Sequence, residues 1–379
     1  MARIFHISGR PTWLEIDLDA IEHNFQHARN AVAPGVALYP VVKANGYGLG
    51  VLPIAKRLLA CGAYGLCIAT IEEAIQLRAA GISQPLILLS GLSADIAEQV
   101  AAYHLQPFVF DLSHIHPLSR AARHHPITFF LKVYTGMGRF GLLPEQLPEA
   151  LQLIRTLPGL SLAGLVSHLA CSDQPDHPDN SRQLHNLQQL LIQSGMSHGQ
   201  TSLANSGAIL SRPDTHFSWV RPGIMLYGAS PFFPHNHGSQ IGLKPVVSWY
   251  TRIQQIRSLP TGSGVGYGQT FVTQRPSRIA ILPVGYADGY NRLLGNRAQV
   301  LLQGQRIPVV GRVSMDSIAI DTTELSEVAI GAPVTLLGRD QEEEITAEEM
   351  ASWCSTIPYE IFTNLGERVA KYPVSSCCS

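Results

Sequence analysis

From about residue 10 to residue 230 the chain alternates short apolar runs with amphipathic stretches, and this alternation constrains its fold more than any other feature. The apolar runs span 38–43, 64–69, 85–90, 106–110, 128–134, 162–168, 201–205 and 219–226. Helix-like stretches lie between them at 53–60, 71–80, 94–102, 113–123, 145–156 and 180–194, with a weaker turn at 206–211. Glu72 and Glu73 open one of these stretches and Gly81 follows its end, which is sensible helix punctuation. A further helix, 17–30, precedes the first run. Eight strand–helix units in succession predict an α/β fold, a (β/α)8 barrel of the TIM type, in preference to an open sheet.

The texture changes near His235-Asn236-His237-Gly238-Ser239, a loop-rich joint. Beyond it, β-like runs at 246–256, 278–283, 298–302, 306–310, 317–321 and 333–337 are separated by Gly, Pro and Asp turn signals. A short helix is expected near 348–353. The expected organisation is a barrel over residues 1–238 and a C-terminal mainly-β domain over 239–379, with the segment before the barrel free to pack on the β domain.

Bulk composition narrows the function classes. Formal net charge is −1, so no global field points to nucleic acid or to an anionic membrane. No apolar run approaches the length of a membrane span. The first residues lack a sustained apolar region and soon meet Glu15 and Asp17, unlike a secretory signal, so the expected compartment is the cytoplasm. The six cysteines contain no C-x-x-C pair, no metal site is expected, and all six read as free thiols, including the adjacent Cys377 and Cys378.

Chemistry concentrates at Tyr39-Pro-Val-Val-Lys43-Ala-Asn-Gly-Tyr47-Gly48. A lysine closing a buried strand faces desolvation, which lowers its pKa and makes its amine a nucleophile suited to a Schiff base with an aldehyde cofactor. Active sites of barrels lie at the C-terminal ends of the strands. Lys132 with Thr135-Gly-Met-Gly-Arg139, His168, Asn205-Ser206-Gly207 and Arg221-Pro-Gly223-Ile224 gather at those ends. Each has a bland alternative: His168 as a core histidine, Ser206 as a helix N-cap, Arg221 as a salt-bridge partner. Their coincidence at one rim favours a shared site, with free N–H groups at Ser206, Gly223 and Ile224 suited to a phosphate. In the β domain, Tyr267 stands between glycines, where its hydroxyl can reach outward. Tyr359 and the backbone around Met315 are further candidates.

Val41-Val-Lys-Ala-Asn-Gly-Tyr-Gly48 resembles the cofactor-lysine motif of bacterial alanine racemases. Pro11-Thr-Trp-Leu-Glu-Ile-Asp17, Thr135–Arg139, Ala204-Asn-Ser206, Arg221–Ile224, Gly266-Tyr-Gly268, Pro283–Gly289, Gly311–Asp316 and Ile357-Pro-Tyr-Glu360 resemble blocks of that family, in family order. The resemblance implies a pyridoxal 5′-phosphate enzyme that interconverts L-alanine and D-alanine. It also implies a homodimer whose sites are shared across the interface, and a role in supplying D-alanine for peptidoglycan. Carried over, Lys43 holds the cofactor and serves the D-alanine face, while Tyr267 arrives from the partner subunit to serve the L-alanine face. Tyr47, Ser206, Gly223, Ile224 and Tyr359 bind the phosphate, Arg221 meets the pyridine nitrogen, and His168 lies beside the ring. Arg139 and the Met315 backbone lie near the substrate carboxylate. Lys132 matches a lysine that is carbamylated in many members. Tyr134 departs from the family, where Asp is common, and puts the local loop in question. The weighed alternatives are a racemase of serine or of a broader range of amino acids and, further off, a fold-related decarboxylase; Arg221, where a carboxylate would be expected, argues against the last.

Overall fold

The computed structural model describes residues 9–375, apart from 91, 124 and 197–199; Cys377 and Cys378 lie outside the described residues. The chain forms two compact units, one of Ile21–Lys244 and the other of Met1–Ala20 together with Pro245–Ser379.

In the first unit, strands Leu66–Ile68, Leu86–Leu88, Leu105–Val109, Ile127–Lys132 and Leu160–Val166 pair in parallel, each with the next. Ala37–Leu38 pairs in parallel with Trp219–Val220. Single bridges join Val41 to Cys67 and Val166 to Ser202. The Thr201 and Ala204 carbonyls accept from the N–H groups of Ser218 and Arg221. Seven parallel strands and the bridged segment at Ser202 therefore follow one another in chain order, as the eightfold sequence pattern predicts. Pro40 offers no N–H to the ladder, which helps to end the first strand at Leu38 and leaves Val41 as an isolated bridge.

The barrel interior is packed. Trp219 meets Tyr39, Phe130 and Phe108 with ring centroids 4.9, 5.0 and 6.3 Å away. Outside, helix Ile71–Ala79 begins at Thr70 with a capping box closed by Glu73. Helix Pro178–Ser194 has proline in its first turn and ends at left-handed Gly195. It turns Leu184, Leu187, Leu190 and Leu191 inward, each contributing about 1.5–3 kcal/mol of burial. In helix Leu18–Asn30 the Asn24 amide donates to the Leu226 and Lys244 carbonyls and accepts the Lys244 N–H, fastening the end of the barrel chain.

The second unit is built on a ten-stranded sheet. Thr12–Asp17 lies within it, antiparallel to Val247–Arg252 on one side and parallel to Ala370–Val374 on the other. The inner hairpins run through Ser277–Leu282, Ile318–Asp321, Gln305–Val310, Gln299–Leu302 and Pro333–Asp340. A buried carboxylate, Asp288, is gripped by Arg10 and Arg368 at 2.7 Å each and caps the Gly285 N–H at 2.8 Å. The Ser314 and Met315 carbonyls accept from the N–H groups of Tyr286 and Ala287, so Met315 stands on a braced loop.

Candidate active site

Lys43 follows the bridge at Val41 and begins a turn of unusual hand. Ala44, Asn45, Gly46 and Tyr47 have φ between 53° and 63°, and Gly48 continues at 81°. The Gly46 and Gly48 N–H groups donate to the Val42 and Ala44 carbonyls, four residues back, so this is one turn of left-handed helix. Left-handed α conformation costs about 1–2 kcal/mol for a residue such as alanine or tyrosine, roughly 2–4 kcal/mol for Ala44 and Tyr47 together, and less for Asn45, since asparagine tolerates it better. Side-chain bonds offset part of it: Glu73 Oε1 accepts the Ala44 N–H at 2.5 Å, and Asn45 Oδ1 accepts the Val51 N–H at 2.9 Å.

The turn leaves the Lys43 side chain exposed at the barrel mouth and buries Tyr47. Tyr47 stacks on Tyr227, with centroids 4.3 Å apart, and the Tyr227 hydroxyl donates to the Val41 carbonyl at 3.0 Å. The protein wall around the Lys43 amine, and then Arg139, hold its pKa below the ordinary value, while Glu73 opposes them.

The other strand ends carry cations. Lys132 is buried under the rings of Phe140 and Phe108, 5.5 and 5.8 Å from their centroids. Burial, with Arg221, Arg139 and Lys43 nearby, brings its pKa down to about 7. Arg221 is buried and fully engaged: it donates to Ser202 Oγ at 2.5 Å, to the Ser167 carbonyl at 2.7 Å and to the Leu203 carbonyl at 3.2 Å. A longer contact of 3.4 Å reaches His168 Nδ1. A guanidinium cannot accept, so Nδ1 is the acceptor and His168 carries its proton on Nε2. Burial and the same four cations hold the His168 pKa well below that of a free histidine, so the ring is neutral.

Opposite them lies a small polar cradle. Ser206 opens the short helix Ser206–Ser211 behind its N-cap Asn205, and Ser206 Oγ accepts the Gly223 N–H at 2.8 Å. Ile224 begins the next turn. A Cβ on Gly223 would lie 2.7 Å from the Tyr47 hydroxyl, so glycine there keeps Tyr47, Ser206 and the chain at Gly223 together.

Lys43, Lys132, Arg139, His168 and Arg221 thus share one rim of the barrel, with Tyr47, Ser206, Gly223 and Ile224 at the same end. Tyr267, Met315 and Tyr359 belong to the second unit, where Tyr267 is 73 % exposed and Met315 52 % exposed. Tyr134 is half-buried, with its N–H bonded to the Leu142 carbonyl.

Two supporting residues escape a reading by motif. Glu73 is one. The other is Gln183, fully buried, whose amide donates to the His168 carbonyl at 2.9 Å and to Thr135 Oγ1 at 3.2 Å and accepts the Ala170 N–H at 2.8 Å. It ties the loop bearing Arg139 to the segment bearing His168. The available signal was its spacing: Gln183 falls on the same helical face as Leu187 and Leu190. Away from the rim, Cys171, His177 and Asp179 bring ligand atoms within 4.8 Å of one another. His177 Nδ1 accepts the Asp179 N–H and the Asp179 carboxylate meets Arg182, so this cluster reads as the cap of helix Pro178–Ser194.

Comparison with known proteins places both units in one family. The family description "Alanine racemase, N-terminal domain" matches residues 16–231, and "Alanine racemase, C-terminal domain" matches residues 246–372.

The chain belongs to the alanine racemase family.

The alanine racemase of Syntrophobacter fumaroxidans is 40% identical over 360 residues, covering 94% of this chain and 95% of that one. That of Halothermothrix orenii is 38% identical over 371 residues, covering 96% of each. Among solved structures, the alanine racemase of D-cycloserine-producing Streptomyces lavendulae superposes with a TM-score of 0.92 at 33% identity, covering 97% of this chain and 98% of that one. The Bartonella henselae alanine racemase, solved with covalently bound pyridoxal phosphate, superposes at 0.87 with 34% identity, covering 97% and 100%. The barrel followed by a mainly-β unit is the family architecture.

Proposed function

We propose that the chain is a pyridoxal-phosphate-dependent alanine racemase that interconverts L-alanine and D-alanine. The observation that carries this reading is the rim itself, in a member of the alanine racemase family. Lys43, Lys132, Arg139 and Arg221 all act electrostatically on His168, and Glu73 is the carboxylate that acts on Lys43. Such a cationic surplus suits a ligand bearing a phosphate, beside a substrate bearing a carboxylate. The polar cradle of Tyr47, Ser206, Gly223 and Ile224 suits the phosphate, and a Cβ at Gly223 would crowd it.

When bound, the cofactor supplies the electron sink that makes the α-proton of alanine labile. The residues divide the remaining work. Lys43, its charged form disfavoured by the surrounding wall, holds the cofactor and moves the proton on the D-alanine face. Tyr267 of the partner subunit moves it on the L-alanine face. Tyr47, Ser206, Gly223, Ile224 and Tyr359 bind the phosphate. Arg221, committed to Ser202, Ser167 and Leu203, is a fixed positive partner for the pyridine nitrogen. His168 lies beside the ring. Arg139 and the Met315 backbone receive the substrate carboxylate. Lys132 is carbamylated: an amine with a pKa of about 7 has an uncharged fraction available to carbon dioxide at neutral pH. One proton leaves one face and one returns to the other, so the reaction needs no net oxidant.

The working unit in this reading is a homodimer in the cytoplasm, supplying D-alanine to peptidoglycan synthesis. Among the described residues no helix is long and apolar enough to cross a membrane. The test is incubation of the cofactor-loaded protein with L-alanine alone and chiral assay for D-alanine. D-alanine should accumulate to a racemic mixture and Lys43→Ala should abolish it. Racemisation of L-serine but not of L-alanine would replace the substrate assignment.

A further inference from the structure

The left-handed turn after Lys43 has an anchor outside itself. Glu73 Oε1 accepts the Ala44 N–H at 2.5 Å, while Oε2 accepts the Ala69 N–H at 2.7 Å and the Thr70 N–H at 3.4 Å. One carboxylate therefore joins the first peptide of the turn to the end of strand Leu66–Ile68 and the start of helix Ile71–Ala79. The Ala44 N–H precedes the internal ladder of the turn, whose bonds start at Gly46, so Glu73 supplies the partner that the turn lacks. The backbone on either side of this bond carries Lys43 and, four residues later, Tyr47.

We propose that Glu73 is a positioning residue for Lys43: its carboxylate clamps the left-handed turn and so sets the direction and the charge state of the lysine amine. The inference rests on the reading of Lys43 as the cofactor lysine and adds a residue to it. The groups acting on Lys43 from the packed elements are Arg139, Cys67 and Glu73, and Lys132 and His168 in turn feel the Lys43 charge. Glu73 is the carboxylate in this set, and it opposes the lowering of the Lys43 pKa by the surrounding protein wall and by Arg139. An uncharged isostere removes that opposition. It also turns an NH2 group toward one of the backbone donors, because an amide has a single oxygen.

The experiment uses the apoprotein, with pyridoxal phosphate as the probe. The rate of borohydride-trapped attachment is followed against pH, and the attachment site is mapped by peptide mass. Wild-type attachment at Lys43 tests the underlying reading by itself; attachment elsewhere would remove that reading and this inference together. With Lys43 confirmed, Glu73→Gln should move the pH midpoint of attachment down by about half to one unit. It should also slow the plateau rate at least about fivefold through the loosened turn. Glu72→Gln, an exposed neighbour on the same helical turn, should leave both unchanged. Glu73→Asp keeps the charge on a shorter arm, so it should restore the midpoint but not the rate. A Glu73→Gln protein with wild-type midpoint and rate overturns the proposal. If that variant does not fold, a Glu73→Asp protein that reacts at the wild-type rate overturns it equally.

Discussion

The Tyr47 hydroxyl occupies the space that a β-carbon on Gly223 would need, 2.7 Å from it. Tyr47 cannot swing aside cheaply, because its ring stacks on Tyr227, which is itself held to the Val41 carbonyl. Gly223→Ala should therefore push apart the phosphate cradle without disturbing the barrel core. The expected outcome is a cofactor Kd raised about tenfold or more, a loss of about 1.4 kcal/mol. Titration of the apoprotein by cofactor absorbance measures it, and urea unfolding of the apoprotein should show a loss of about 1–3 kcal/mol from the overpacked contact.

Lys132 should leave a mark on the pH dependence of stability. Its pKa falls from 10.5 to about 7 on folding, so between those values the unfolded chain binds a proton that the folded chain does not. Stability then rises with pH across this window, and the gain is lost as pH falls through about 7. In carbon-dioxide-free buffer, where the lysine carries a free amine, Lys132→Met should flatten the apoprotein's urea-unfolding free energy between pH 7 and pH 10 relative to wild type. A slope unchanged by the substitution would show that another group is responsible. The carbamate proposed at this lysine should appear in a carbon-13 NMR spectrum after equilibration with labelled bicarbonate, and vanish in the same variant.

Gln183 holds two loops through one amide. Gln183→Leu keeps the volume but strands the Ala170 N–H, the His168 carbonyl and the Thr135 hydroxyl bond. The expected loss is about 1–3 kcal/mol of stability, since unsatisfied buried groups cost that much each and some will find water. The loops bearing Arg139 and His168 also lose their tie, so KM for alanine should rise along with the fall in stability. Urea unfolding and steady-state kinetics on one preparation check both.

In the second unit, Asp288→Ala removes the common partner of Arg10 and Arg368 and uncaps Gly285. Breaking a fully buried pair costs about 3–5 kcal/mol, but both arginines are partly exposed and can rehydrate, so about 2–3 kcal/mol is expected. The braced Met315 loop should loosen with it, seen as faster hydrogen exchange at Tyr286 and Ala287, whose N–H groups bond across to Ser314 and Met315.

The barrel was readable because its signal is local. Each of the first six barrel strands overlaps an apolar run, the helices between them sit within a few residues of the amphipathic stretches, and the seventh run holds the bridge at Ser202. The candidate site residues were readable because lysine, arginine, histidine and glycine coincide at the ends of the apolar runs, although each alone has a bland alternative. The sequence pattern does not predict strand Thr12–Asp17. Its partners, Val247–Arg252 and Ala370–Val374, are more than two hundred residues away, and no local period names them.

The sequence by itself determined the alternation of elements and the family to which its motifs point. Side-chain type and period are written in neighbouring residues, and a barrel built from adjacent units needs little else. Tertiary structure decided the rest. Val-Val-Lys-Ala-Asn-Gly-Tyr-Gly does not announce a left-handed turn, because Ala44 and Tyr47 disfavour that conformation in isolation. The turn exists because Glu73, twenty-nine residues on, satisfies its first N–H, and because Asn45 caps the next helix. Likewise Gln183 is one polar residue in a helix until the fold sets it between Thr135 and His168. A strained local conformation survives only where distant groups compensate it, and no short stretch of sequence holds both halves of that balance.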